Sequence, residues 1–271
     1  MKKLIWFSAI SVIFIAVACS TNAFTGKKTL ALVSNNQLFP QAFQQYGQFL
    51  SQNKVVTGSA DARRVEFVGN KIKTAAERWL TANGKASILE GYKWEYKLVD
   101  NKDVNAWCMP GGKIVFYTGI LPITNDEATM AAVMGHEVAH ALADHGVQRM
   151  SAGMVQQGLG MALAIGTQNQ TPERQQMWMQ AYGVTTQFGA MLPFSRAHET
   201  EADMIGLTLM AVAGYDPKNA ITVWQRMSAK NGQAPPEFMS THPSNETRIA
   251  KITSQIPAAK AEAAKFGVVF K

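Results

Sequence analysis

Thr124-Asn125-Asp126-Glu127-Ala128-Thr129-Met130-Ala131-Ala132-Val133-Met134-Gly135-His136-Glu137-Val138-Ala139-His140-Ala141-Leu142-Ala143-Asp144 is the stretch on which the reading of this chain turns. Thr124 to Glu127 has the form of a capping box, so a helix is predicted to start there and to run through both histidines to about Asp144. Residues four apart on a helix share a face one turn apart, so His136 and His140 can place two imidazole nitrogens on one cation. Glu137 lies about 100° further round, clear of the cation but within reach of a water on it. That is the position of a base, not of a ligand. Gly135, Ala139 and Ala143 surround the pair with small side chains, which suits a helix pressed into a core.

Two histidines leave a tetrahedral zinc short of a third protein ligand, and the best donors lie in Ser195-Arg196-Ala197-His198-Glu199-Thr200-Glu201-Ala202-Asp203. Glu199 and Asp203 share a helix face, so Glu199 can bind the metal while Asp203 accepts the other imidazole proton of a histidine ligand. Glu201, about 200° away from Glu199 on the helix, is expected to be solvated or salt-bridged, and His198 to be exposed. A tetrahedral oxyanion formed at such a metal needs a further donor. His242, in the turn Thr241-His242-Pro243-Ser244, and His145, beyond the motif helix, are the candidates.

Upstream, Lys2 and Lys3 precede an apolar run from Leu4 to Ala18, the form of a secretory signal of residues 1–18. Cys19 follows Ala16-Val17-Ala18 as in a bacterial lipobox, so it is expected to carry lipid and to tether the chain outside the cytoplasm. Without Lys2 and Lys3 the chain keeps 24 basic against 19 acidic residues, about +5, with no charge run. This dispersed surplus suits an anionic envelope and excludes a clustered nucleic-acid-binding face. Cys108 is then the one remaining thiol, read as a small buried hydrophobe with no disulfide partner.

Residues 19–55 read as a polar tether leading into an early helix over 39–52, residues 56–256 as the main domain, and 257–271 as a tail. Helical spacing predicts a helix over 63–82, and Trp94 to Val99 reads as a strand. Val104 to Met109 and Lys113 to Tyr117, split by Pro110-Gly111-Gly112, read as a strand pair. Met150 to Thr167 mixes Gly, Ala, Met and Leu without reaching spanning length, so a buried or groove-lining helix is expected. Further helices are predicted over 195–213, 217–230 and 244–256. The edge strand Lys113, Ile114, Val115, Phe116 and Tyr117, with Asn105 beside it, is expected to receive an extended substrate by main-chain hydrogen bonds.

Five segments resemble, in their order, the HtpX-like and CAAX-prenyl-protease-type zinc endopeptidases. They are Asn105-Ala106 with Pro110 to Ile114, Thr118-Gly119-Ile120-Leu121, the His136 motif, Ser195-Arg196 with Glu199 to Asp203, and Thr241 to Ser244 with Arg248-Ile249. The resemblance implies an α+β, mainly helical, zincin-like metallopeptidase domain with a small antiparallel sheet and an active-site helix. It implies one Zn2+ per chain on His136, His140 and Glu199 in the gluzincin arrangement, with Glu137 catalytic. In similar periplasmic enzymes the loop carrying the equivalent of His242 approaches the metal, which makes His242 alternatively an inhibitory fourth ligand. Quality control of unfolded or misfolded envelope proteins is implied too, in a periplasmic lipoprotein held at the outer rather than the inner membrane. The rival readings are a zinc-stabilised envelope chaperone that binds without cutting, and a metal that is only structural.

Overall fold

The computed structural model of the protein describes residues 19–229, 242 and 246–270. The expected signal segment 1–18 and the turn residues Thr241, Pro243 and Ser244 lie outside the described residues. Mainly helical, the chain carries two small sheets. In chain order the elements are β1 (Cys19–Thr21), β2 (Lys28–Leu30), α1 (Asn35–Gln52), β3 (Val55–Val56), α2 (Ala60–Ala82), β4 (Glu95–Val99), β5 (Ala106–Met109) and β6 (Lys113–Tyr117). Helices α3 (Glu127–Leu142), α4 (His145–Gly166), α5 (Pro172–Thr186), α6 (Leu192–Val212), α7 (Asn219–Ala229) and α8 (Glu246–Ala264) follow.

β1 and β2 form a separate antiparallel pair, while the main sheet has the order β3-β4-β6-β5. The turn Pro110-Gly111-Gly112 closes the expected hairpin, with Gly111 at φ 82° and Gly112 at φ 84°, where a Cβ is strained. The hairpin folds back so that β6 lies between β5 and β4, and it therefore runs parallel to β4. The sheet is mixed, not wholly antiparallel. This also corrects the expected substrate edge, since Lys113 to Tyr117 is an interior strand paired on both sides and the free edge of that half is β5. Burial on both faces is the physical reason: Ile114, Val115 and Phe116 are all fully buried, as an unbroken apolar run in a two-sided strand should be.

On one face of the sheet α2 buries Val65, Val68, Ile72, Ala76 and Leu80, an i, i+3, i+4 stripe. On the other, Tyr46 of α1 joins Val99, Val115 and Tyr117. The early helix expected over 39–52 is therefore present, begins four residues sooner at Asn35, and is packed on the sheet. Helix α3 is capped two residues later than predicted, by Asp126 and not Thr124, with the Asp126 carboxylate accepting from the Thr129 N–H at 2.8 Å. It is buried on nearly every side and crosses α6 so closely that a Cβ on Gly135 would sit 2.9 Å from the Gly206 carbonyl oxygen. A Cβ on Gly206 would meet the His136 backbone nitrogen at 2.8 Å. Burial of Ile256, Ala259 and Ala263 carries α8 through Pro257 to Ala264, so the expected tail begins inside a packed helix.

α4 departs most from expectation. Its first turns are buried at His145, Val147, Gln148 and Ser151, but Met154, Val155, Leu159, Met161 and Ile165 are exposed. It forms with α5, a helix that the sequence pattern did not predict, an antiparallel hairpin joined to α6 by a short π turn over Gln187–Met191.

Candidate metal centre

α3 presents His136 and His140, and α6 presents Glu199 against them. Glu199 Oε2 lies 3.4 Å from His136 Nε2, and Glu199 Oε1 lies 3.2 Å from His140 Nε2. His242 joins them, its Nδ1 2.8 Å from Glu199 Oε2 and 3.1 Å from His136 Nε2. One donor atom from each of these four residues lies within 4.8 Å of the others, and all four residues are buried. Three imidazoles and a carboxylate match the donor chemistry of a divalent ion such as zinc.

Asp203 stands where the helix face predicts, its Oδ1 3.0 Å from His136 Nδ1. It is itself clasped by Arg248, whose Nε and Nη2 each donate to an Asp203 carboxylate oxygen at 2.7 Å. Arg248 Nη1 lies 3.1 Å from Glu199 Oε2, and the guanidinium stacks 3.7 Å above the Trp224 ring. The forked geometry fixes both carboxylates at once, which a lysine could not do. Arg248 was legible only as part of the family resemblance; no spacing rule assigns it this place.

Burial acts against ionisation of Glu199, yet the three histidines around it hold its carboxyl well below the usual carboxylate range. Burial likewise opposes ionisation of Asp203, but hydrogen bonding to His136 and the Arg248 charge lower it. Burial alone pushes His136 down, but Asp203 and Glu199 outweigh it and raise His136 to about 9. For His140 burial dominates and the value falls well below the ordinary one. Before an ion enters, the two carboxylates are charged and His140 is neutral, as metal binding requires, while His136 carries a proton that an ion bound at its Nε2 would displace.

Glu137 is buried at 4% exposure beside this cluster. Its Oε1 is 3.7 Å from His242 Nε2 and has no hydrogen-bond partner among the described residues. Burial raises its pKa, more than His242 and His136 lower it. A desolvated carboxylate with an idle acceptor next to a metal-binding set can take a proton from water.

A second network lies behind His140. Asp144, at φ 55° in the left-handed region, breaks the chain between α3 and α4 and turns His145 back onto the motif. His145 Nδ1 shares a hydrogen bond with His140 Nδ1 at 2.9 Å, and its Nε2 lies 2.8 Å from Glu201 Oε2. Thr25 donates its hydroxyl to Glu201 Oε1 at 2.9 Å. His145 therefore faces the ring nitrogen of His140 that points away from the cluster, and the geometry removes it as an oxyanion donor. Glu201, expected to be solvated or salt-bridged, is held instead by hydrogen bonds with Thr25 and His145, since burial lowers the His145 pKa and favours the neutral imidazole. His198 is not exposed, as had been expected: at 2% exposure it stacks on His145 with centroids 4.1 Å apart, and its Nε2 lies 3.0 Å from Gln148 Oε1. Its position on the helix was read correctly; what covers it, α4, was not.

Asn105 is 8% exposed and caps its own strand, its Oδ1 accepting from the Ala106 N–H at 2.9 Å. Cys19 sits in β1, exposed. Cys108, half-buried against the core, has its thiol pushed up by burial and by the Glu137 charge.

Residues 69–256 match peptidase family M48. Over 191 residues the chain is 38% identical to the mitochondrial metalloendopeptidase OMA1 of Schizosaccharomyces pombe, covering 70% of this chain and 53% of that protein. It is 38% identical over 174 residues to the OMA1 of Arabidopsis thaliana, covering 64% of this chain and 34% of the other. The beta-barrel assembly-enhancing protease of Escherichia coli is 29% identical over 162 residues, 58% of this chain and 33% of that one. The chain thus spans about half the length, or less, of these curated relatives.

Proposed function

The chain belongs to peptidase family M48, and from that premise we propose that it is a zinc-dependent endopeptidase of a bacterial cell envelope that cuts unfolded or misfolded proteins. The observation that carries this reading is Glu137, a buried carboxylate with an idle oxygen beside the donor set His136, His140, Glu199 and His242. Neither a binding protein nor a purely structural metal needs a general base there.

His136, His140 and Glu199 would hold the zinc, which when bound would supply the Lewis acidity that brings deprotonation of water near neutral pH. Glu137 accepts the proton from water and delivers it to the leaving amine, a task its raised pKa suits. Asp203 holds His136 in the tautomer that offers Nε2 to the metal, and Arg248 steadies Asp203 and Glu199 together. His242, with Nδ1 among the other donors, we read as a fourth ligand that has to withdraw before substrate enters, rather than as an oxyanion donor. The sheet edge to which an extended substrate would add is β5.

An envelope address rests on the apolar run Leu4 to Ala18 followed by Cys19, which also supports a lipid anchor of the HtpX-like periplasmic branch, at the outer membrane. Similarity to the beta-barrel assembly-enhancing protease of Escherichia coli is in keeping with envelope quality control.

The test pairs metal analysis with degradation of an unfolded protein. Wild type and Glu137→Gln should each bind one zinc, while turnover falls by about 10²- to 10⁴-fold in the variant, the usual weight of a general acid-base group. Equal degradation by the two would sink the peptidase reading; no degradation by either, with tight binding of the unfolded protein, would favour the chaperone.

A further inference from the structure

The α4–α5 hairpin is built inside out. Gln156 and Gly160 lie on the side of α4 that faces α5, beside half-buried Leu163 and opposite half-buried Met179, and the hydrogen bonds between the helices are polar side-chain ones: Gln156 Nε2 donates to Thr186 Oγ1 at 3.0 Å, Tyr182 OH donates to the Gln156 carbonyl at 2.6 Å, and Gln175 Nε2 donates to the Ala164 carbonyl at 3.2 Å. Tyr182 lies over Gly160, 3.4 Å from where a Cβ would stand. The opposite side of α4 carries Met150, Met154, Val155, Leu159, Met161 and Ile165, between 40% and 66% exposed. A water-facing hairpin does the reverse, joining its helices through apolar side chains and turning polar ones outward. A seam tied by polar side chains and a small residue, with more of the large apolar side chains outside it than within, is the pattern of helices solvated by lipid.

Charge points the same way. In a chain with 17% charged residues, Met150 to Pro172 contains none, and neither does Gln175 to Ser195. A protein-docking surface is not expected to be stripped of charge on all its sides, whereas hydrocarbon penalises charge wherever it is met. No helix among the described residues is long and apolar enough to cross a membrane, and a lipid-facing side on such a helix belongs in the plane of a bilayer surface. Trp178, 49% exposed on α5, has the amphipathic ring that favours that boundary. The chain's other lipid-loving segment, Leu4 to Ala18, leads into β1. β1 pairs with β2, which packs on the root of α4, where the Leu32 N–H donates to Ser151 Oγ at 2.9 Å.

We propose that the α4–α5 hairpin is a membrane-surface paddle whose outer α4 face enters the boundary between lipid headgroups and acyl chains, in addition to anything that holds the N-terminus. This is independent of the peptidase reading, and catalytic turnover does not enter its test.

The full chain is reconstituted on phosphatidylethanolamine–phosphatidylglycerol vesicles carrying lipid brominated near the headgroup end of the acyl chain. A tryptophan is placed by Met161→Trp in a Trp178→Phe background, and its signal is taken as the difference from Trp178→Phe alone. That signal should be quenched several-fold more than a tryptophan placed by Glu66→Trp in the same background, Glu66 being exposed on α2. Adding Leu159→Glu and Ile165→Glu, both at exposed positions that leave the folded core untouched, should abolish the difference. Equal quenching at 161 and 66 overturns the proposal. So does shielding of residue 161 from aqueous iodide without vesicles that is lost on dilution, which would assign this face to a second copy of the chain.

Discussion

At the scale of single residues, the carboxylates of α6 divide the labour around the metal set, and their substitutions should separate. On the proposed assignment Glu199→Ala removes a ligand, and zinc stoichiometry measured after dialysis should fall to near zero. Glu201→Ala leaves the ligands in place but frees His145, and through it His140; zinc should still bind, with affinity about 10- to 100-fold weaker in a competition titration. Equal losses in the two variants would contradict the assignment. Burial, then the neighbouring His145 and Arg149 charges, lower His198 to about 3, and burial lowers His145 as well. Below about pH 6.5 these histidines take up protons in the unfolded chain but not in the folded one. The stability they contribute is therefore whole above pH 6.5 and drains away as pH falls toward 3. Melting midpoints should drop between pH 7 and pH 5 by several degrees, and by less in His198→Gln. Glu199 and Asp203 were legible in sequence because one helix face carries both. The His145–Glu201 pair was not, because it depends on a left-handed residue at Asp144 that turns one helix back on another, and no periodicity records such a turn.

At the scale of elements, the metal geometry rests on two helices touching backbone to backbone at Gly135 and Gly206. Gly206→Ala puts a methyl group against the His136 nitrogen, which has no rotamer to move. The expected result is a destabilisation of about 1–3 kcal/mol in urea unfolding together with weakened zinc binding, because Glu199 moves away from the histidines with its helix. Unchanged zinc affinity would show that the crossing tolerates the spreading. Most helices were readable from caps and spacing, with ends displaced by a few residues. Two readings failed for identifiable reasons. The run Ile114-Val115-Phe116-Tyr117 was taken for an edge although its lack of alternation is the mark of a strand covered on both faces. Met150 to Thr167 reads in sequence as a buried or groove-lining helix because apolar content suggests cover, whereas in the fold its large apolar side chains turn outward and polar groups bond it to α5.

At the scale of the whole molecule, the metal set draws together α3, α6 and His242, the last 106 residues from His136 in sequence. A bound ion therefore closes a long stretch of chain, and its removal should loosen the fold as well as stop turnover. Chelation should lower the melting midpoint of wild type by several degrees and that of Glu199→Ala hardly at all. The order of motifs made the mainly helical metallopeptidase architecture legible; the sheet order was not, since a hairpin written as two adjacent strands does not say which of them meets a third. That order bears on what can be digested. β5 pairs with β6 over four residues, Ala106 to Met109, an edge of about 13 Å at roughly 3.3 Å per residue. If substrate is laid along it, the enzyme gauges local fraying and not overall collapse: a protein otherwise intact qualifies for cleavage as soon as one short loop can be drawn out straight.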